Sequence, residues 1–195
     1  MNIILPQSKL LSRQNKEIPT MLNILSGTRN RLSCGRVSLG TSSIIIGAHA
    51  GSTTQLDYRM WRFPTLVSSL KGNYFEQWLD VGNNNSWYLE KAYFHIYKYY
   101  NQTEKEKEII ALHCDPNEPI DPQYKHRHRY KCGPHIHVTV TPTPMHKTHF
   151  ALNLANIKNV TSDYDELMKA FKDGLIMIKE EFLDRINEEG GNYLV

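Results

Sequence analysis

The segment 132–150, CGPHIHVTVTPTPMHKTHF, carries four of the nine histidines of this chain. Imidazole titrates near neutrality, so two histidines held together can pass a proton in either direction or share one metal ion. His135 and His137 are two residues apart and open the run Ile136–Thr141, the clearest β-strand pattern in the chain. Residues two apart on a strand project from one face. His135, His137, Thr139 and Thr141 are therefore expected along a solvated face, with Ile136, Val138 and Val140 opposite, packed on a helix. His146 and His149 follow the turn Pro142-Thr143-Pro144; if that turn folds back, one of them faces His137.

A further contributor is expected from His113-Cys114-Asp115. If Glu108–Cys114 pairs antiparallel with the His-x-His strand, Asp115 comes to lie near His135, where it can orient an imidazole or ligate an ion. The candidate catalytic set is thus His135, His137, His149 and Asp115, and the candidate metal ligands are His135, His137 and His149. The expected cofactor is none, or one divalent metal ion. The competing reading is plain polar surface on an edge strand, the usual fate of a single histidine.

Immediately before the strand lies Lys125-His126-Arg127-His128-Arg129-Tyr130-Lys131, the most concentrated charge run in the chain. Lys125, Arg127, Arg129 and Lys131 can neutralise phosphates, and Tyr130 can stack on an unpaired base. Charge runs are also ordinary solvated loops; the position of this one, next to the histidines, favours a nucleic acid or nucleotide partner.

His135-Ile136-His137-Val138-Thr139-Val140 resembles the strand motif of the histidine-triad nucleotide hydrolases, with Thr139 where the last histidine of that motif stands. The resemblance implies that His137 would attack phosphorus. His137-Val138-Thr139 and His146-Lys147-Thr148 are similar to the His-x-Thr pairs of two-histidine phosphoesterases, although those enzymes set their two copies most of a domain apart. Each likeness covers only a few residues, and no family is assigned from them.

The elements that must position these groups can be read in outline. Residues 1–20 look like an arm that is ordered only if something holds it, and it offers a surface for a protein partner. Residues 21–195 are read as a single domain. Ser43–Gly47 is a short apolar run expected to be a buried strand, with Arg36–Gly40 as its hairpin partner. Gln55–Phe63 alternates until Pro64. Asn73–Val81 is expected to form a short helix, broken at Gly82-Asn83-Asn84-Asn85. Ser86 then caps a second helix with Leu89, Tyr93, Ile96, Tyr97 and Tyr100 on one face. In the last helix, Ser162 and Asp165 form a capping box, and Leu167, Phe171, Ile178, Phe182 and Ile186 mark a buried stripe. The fold class expected is α+β: a small antiparallel sheet packed against a few helices, with a long C-terminal helix.

Composition sets wide bounds. With 195 residues, 40 % hydrophobic and 22 % charged, the chain can bury a substantial core. A formal net charge of +3 permits an anionic partner without requiring one. Cys34, Cys114 and Cys132 are odd in number and widely spaced, as free thiols of a reducing compartment would be. The first residues lack the order of a secretory signal, and no apolar run is long enough for a membrane span. A cytoplasmic protein is expected. Two functions remain open on these residues: a histidine-based phosphoesterase or ribonuclease, and a non-catalytic module that binds nucleic acid or protein, possibly as a subunit of a larger assembly.

Overall fold

The structure is a computed structural model, and it describes residues 3–26, 32–51, 56–82, 85–100, 105–116, 133–138, 148–152, 157–160 and 162–188. Its centre is an open antiparallel sheet of nine strands: β1 (Ile4–Pro6), β2 (Leu32–Leu39), β3 (Ser43–Ala50), β4 (Phe63–Pro64), β5 (Leu70–Asp80), β6 (Ser86–Tyr100), β7 (Lys105–Cys114), β8 (His135–Val138) and β9 (Thr148–Ala151). The main path runs β2-β3-β5-β6-β7-β8-β9. The two-residue β4 pairs with β5 at Lys71 and Gly72, beyond the reach of β3. β1 pairs with β6 at Ser86–Tyr88, where β7 no longer lies alongside. The sheet is α+β in kind but not small.

The expected helices over 73–81 and 86–100 are strands β5 and β6. Both segments are rich in Tyr, Phe and Trp, which suit a pleated surface. They also lack polar-apolar alternation, because each strand buries side chains on both of its faces: Tyr74, Phe75, Glu76 and Trp78 are all buried. Apolar residues at both parities satisfy a helical template by accident. The Gly-Asn stretch joins two antiparallel strands; Gly82 (φ 77°) and Asn85 (φ 52°) adopt the left-handed backbone that such a turn demands. Ser86 begins β6 and caps no helix. The alternation in 55–63 resolves into a single 3₁₀ turn at Tyr58–Met60 followed by β4.

The β2–β3 hairpin and β7 form where the residue pattern placed them. The pairing of β7 with β8 is antiparallel, with His113 opposite His135 and Ala111 opposite His137.

Helices cover one face of the sheet. The N-terminal helical segment runs through Gln7–Ser12, a π-helical Arg13–Glu17 and Ile18–Ser26. Ile3, Leu5, Leu10 and Ile18 of this region are buried in the chain's own core. The C-terminal helix runs through Tyr164–Ile178, a π-helical Lys179–Asp184 and Arg185–Glu188. Its stripe buries Leu167, Phe171, Leu175, Ile178, Leu183 and Ile186, while Phe182 packs at the margin. The cap is one residue later than expected: Asp163, not Ser162, accepts from the backbone N–H of Glu166 at 3.0 Å.

A buried ion pair pins the N-terminal helix to the sheet. Arg13 donates to Glu76 through Nε (2.9 Å) and Nη2 (2.5 Å), and both side chains are almost wholly enclosed, at 2 % and 0 % exposure. Glu76 also accepts from the Tyr74 hydroxyl and from Trp78 Nε1 (3.0 Å), so the buried carboxylate is fully engaged. Tyr74 meets Phe171 of the C-terminal helix edge-on at 5.8 Å, which joins both helices to the same strand. Among the described residues, no helix is long and apolar enough to cross a membrane.

Candidate functional site

Cross-strand partners share a face, so the register states which side chains meet. Tyr74, Phe94, Leu112, Ile136 and Phe150 form one transverse row across β5 to β9. This row faces the helices; Ile136 lies across an apolar cavity of about 440 Å³ from Ile178 and Phe182. One residue along each strand, the opposite face carries two neighbouring rows. The first is Phe75, Tyr93, His113 and His135; the second is Asn73, His95, Ala111 and His137. The face away from the helices is therefore a layer of rings, with four histidines gathered from β6, β7 and β8.

Ala111 explains how close those rings come. It stands between His95 and His137 in the second row, and its methyl group leaves room for diagonal contacts. The His113 ring centroid lies 4.2 Å from that of His137 and 4.8 Å from that of His95. His135 and His137 are 4.8 Å apart. Tyr93 stacks on His113 at 3.8 Å, and Phe75 and Tyr97 lie nearly parallel to His95 on either side.

Expected as solvated, the His-x-His face is enclosed: His135 is 1 % exposed and His137 8 %. An imidazole in such a place is oriented by hydrogen bonds. His135 Nδ1 lies 2.9 Å from the carbonyl oxygen of Gly133, which can only accept. Nδ1 therefore carries a proton, and in the neutral ring the lone pair of His135 is on Nε2. That Nε2 is 3.9 Å from Asp115 Oδ2, and the other Asp115 oxygen accepts from the Tyr93 hydroxyl. The expected meeting of Asp115 with His135 is present.

A second chain of contacts enters from β6. His95 Nδ1 is 2.7 Å from Glu108 Oε2, and His95 Nε2 is 3.3 Å from His113 Nε2. With neutral rings the donors are ordered: His95 Nδ1–H donates to the carboxylate, and His113 Nε2–H donates to His95 Nε2. The His113 lone pair is then on Nδ1. Burial, followed by the charge of Glu108, holds the nearby Tyr97 phenol above its ordinary pKa.

His113, His135 and His137 each offer one ring nitrogen within a set whose members all lie within 4.8 Å of one another. Of the sequence-predicted residues, His135, His137 and Asp115 are thus brought together. The backbone of His149 lies opposite His137 in the β8–β9 pair. His146, Lys125, Arg127, Arg129, Tyr130 and Lys131 lie outside the described residues. Sequence reasoning missed His95 by assigning β6 to a helix, missed Glu108 because a register shift against β6 turns its side chain to this face, and passed over His113 in favour of Asp115. A usable signal existed on β7: Ala111 and His113 share one parity, and Asp115 follows in step just past the strand end.

No protein-family model, no curated protein and no solved structure matches this chain.

Proposed function

We propose that the chain is a histidine-based phosphoesterase or ribonuclease acting on nucleic acid or a nucleotide. The observation that supports this reading is the convergence of His113, His135 and His137 beside the carboxylate of Asp115. Neighbouring imidazoles suit phosphoester cleavage, since one can accept the proton of the attacking oxygen while another protonates the leaving one. In this reading His137 is the nucleophile or general base, and His135 is its partner, oriented through Nδ1–H by the carbonyl of Gly133, with Asp115 Oδ2 3.9 Å from its Nε2. Lys125, Arg127, Arg129 and Lys131 hold phosphate, Tyr130 stacks on a base, and His149 is a further candidate for the acid. The odd, widely spaced cysteines favour a reducing, cytoplasmic setting.

One observation favours a second reading. Both His135 and His137 are more than nine-tenths buried, as residues of a structural centre are. The protein would then be a non-catalytic module that binds nucleic acid or protein. If a partner docks on the N-terminal region, the surface it can use includes the exposed Ile4 and Leu11, since Leu5 and Leu10 are enclosed.

The deciding experiment measures cleavage and binding of single-stranded RNA and DNA by the wild type and by His137→Ala. Cleavage lost with binding retained supports the enzyme. Binding without cleavage by the wild type, with or without added divalent ions, supports the module.

A further inference from the structure

We propose that His113, His135 and His137 bind one divalent first-row transition-metal ion, through one ring nitrogen each, with Asp115 beside the remaining coordination position. The inference does not depend on the catalytic reading, and it replaces part of it: with the ion bound, His135 and His137 are ligands, and the proton-transfer roles given to them above belong to the metal-free protein alone.

Distance is the first support. Tetrahedral ligand nitrogens about 2.0 Å from a shared ion lie roughly 3.3 Å from one another. The three nitrogens already fall within 4.8 Å, so each ring needs to move by only about an ångström.

The outer contacts are the second support. Metal-bound histidines ordinarily donate their other ring N–H to a carbonyl or carboxylate, which turns the lone pair toward the ion. His135 does so toward Gly133 O, leaving Nε2 as the ligand atom, and this is the atom that faces Asp115. His113 is held by His95, which is held in turn by Glu108. Tyr93 steadies Asp115 through its other oxygen.

Donor chemistry narrows the ion. Among the described residues the set is imidazole nitrogen with one carboxylate close by. Cys114 belongs to the helix-side core, on the opposite face from its neighbour His113, so no thiolate joins from β7. Mg²⁺ and Ca²⁺ require oxygen ligands and do not match. An all-imidazole trio suits Zn²⁺, Co²⁺, Ni²⁺ or Cu²⁺.

The test uses the full chain, prepared without a polyhistidine tag and stripped with a chelator. Zn²⁺ is titrated by calorimetry, and Co²⁺ is used as a visible reporter of coordination geometry. The expected result is one ion per chain, with intense tetrahedral Co²⁺ bands lacking a thiolate charge-transfer contribution. His113→Asn, His135→Gln and His137→Gln should each weaken binding by at least about 100-fold, and His95→Gln, which removes the direct partner of His113, should weaken it by about 10-fold. His49→Gln should leave it unchanged. Because a ligand variant can fail to fold, the histidine nitrogen resonances of the wild type are followed in parallel. Zn²⁺ should shift those of His113, His135 and His137 and spare His49. Failure of the folded, stripped wild type to take up one equivalent overturns the proposal, as does binding that shifts His49 and spares the trio.

Discussion

Glu108 reaches His95 because β7 carries one residue more than β6 at this point. The register runs Ile96 opposite Ile110 and then Tyr97 opposite Glu108, so Ile109 is the extra residue. Without that bulge, the parity of β7 would turn Glu108 toward the helices. With it, the carboxylate comes to the histidine face and lies 2.7 Å from His95 Nδ1. A bulge beside a functional cluster commonly re-aims one side chain in this way.

The direction of that hydrogen-bond chain is testable. In the wild type His95 should be the Nδ1–H tautomer and His113 the Nε2–H tautomer, read from long-range ¹⁵N–¹H correlations. Glu108→Gln removes a charge-assisted bond and should cost about 1–2 kcal/mol in urea denaturation. An Nε2–H tautomer at His95 would show that the chain runs the other way.

Ala111 should tolerate no larger side chain. It is wholly buried between His95 and His137. Ala111→Leu should cost about 1–3 kcal/mol and drive His113 and His137 apart. Retained stability together with retained proton–proton contacts between those two rings would contradict the packing described above.

Arg13 and Glu76 should behave as one unit. Arg13→Met leaves the enclosed Glu76 carboxylate without its counter-charge, at a cost of about 3–5 kcal/mol. The double variant Arg13→Met/Glu76→Gln should lose clearly less than the sum of the two single losses. A strictly additive cycle from chemical denaturation would refute the coupling.

Burial, and then the charge of Glu76, push the Cys34 thiol up to about 12, with Arg13 offsetting part of the effect. Two outcomes are expected. Only the thiolate reacts, so alkylation of the folded protein at pH 8 should be far slower than that of the unfolded chain. The folded pKa is raised, so the stabilising contribution is present below the unfolded value, near 9.0, and is lost as pH rises toward 12. Urea unfolding should therefore show stability falling above pH 9, and falling less steeply in Cys34→Ala. Equal slopes in the two proteins would exclude Cys34 as the cause.

Trp61 should report on the glycines beneath it. A Cβ added at Gly35 would lie 2.5 Å from the indole, and one at Gly47 would lie 2.7 Å from it. Gly47→Ala also meets the backbone oxygen of Tyr74 at 3.1 Å. Either variant should displace the ring and shift its fluorescence to longer wavelength, with Gly47→Ala the more destabilising of the two. An unchanged spectrum in both would show that the indole does not lie on these residues.

What the sequence by itself determined was local. His135–Val138 alternates, Ser43–Gly47 is a short apolar run, and 164–188 carries a helical stripe; each of those patterns fits one element. The antiparallel pairing of 108–114 with 135–138 was legible from chain order, and it placed Asp115 beside His135 correctly. The tertiary structure decided the rest. Strands β5 and β6 bury both faces, so their sequences hold no alternation from which a strand can be told from a helix. The enclosure of His135 and His137 depends on what packs around them, which the alternation of one strand cannot express. The company of His95, His113 and Glu108 depends on register and on a single extra residue at Ile109, and register is a property of two strands at once.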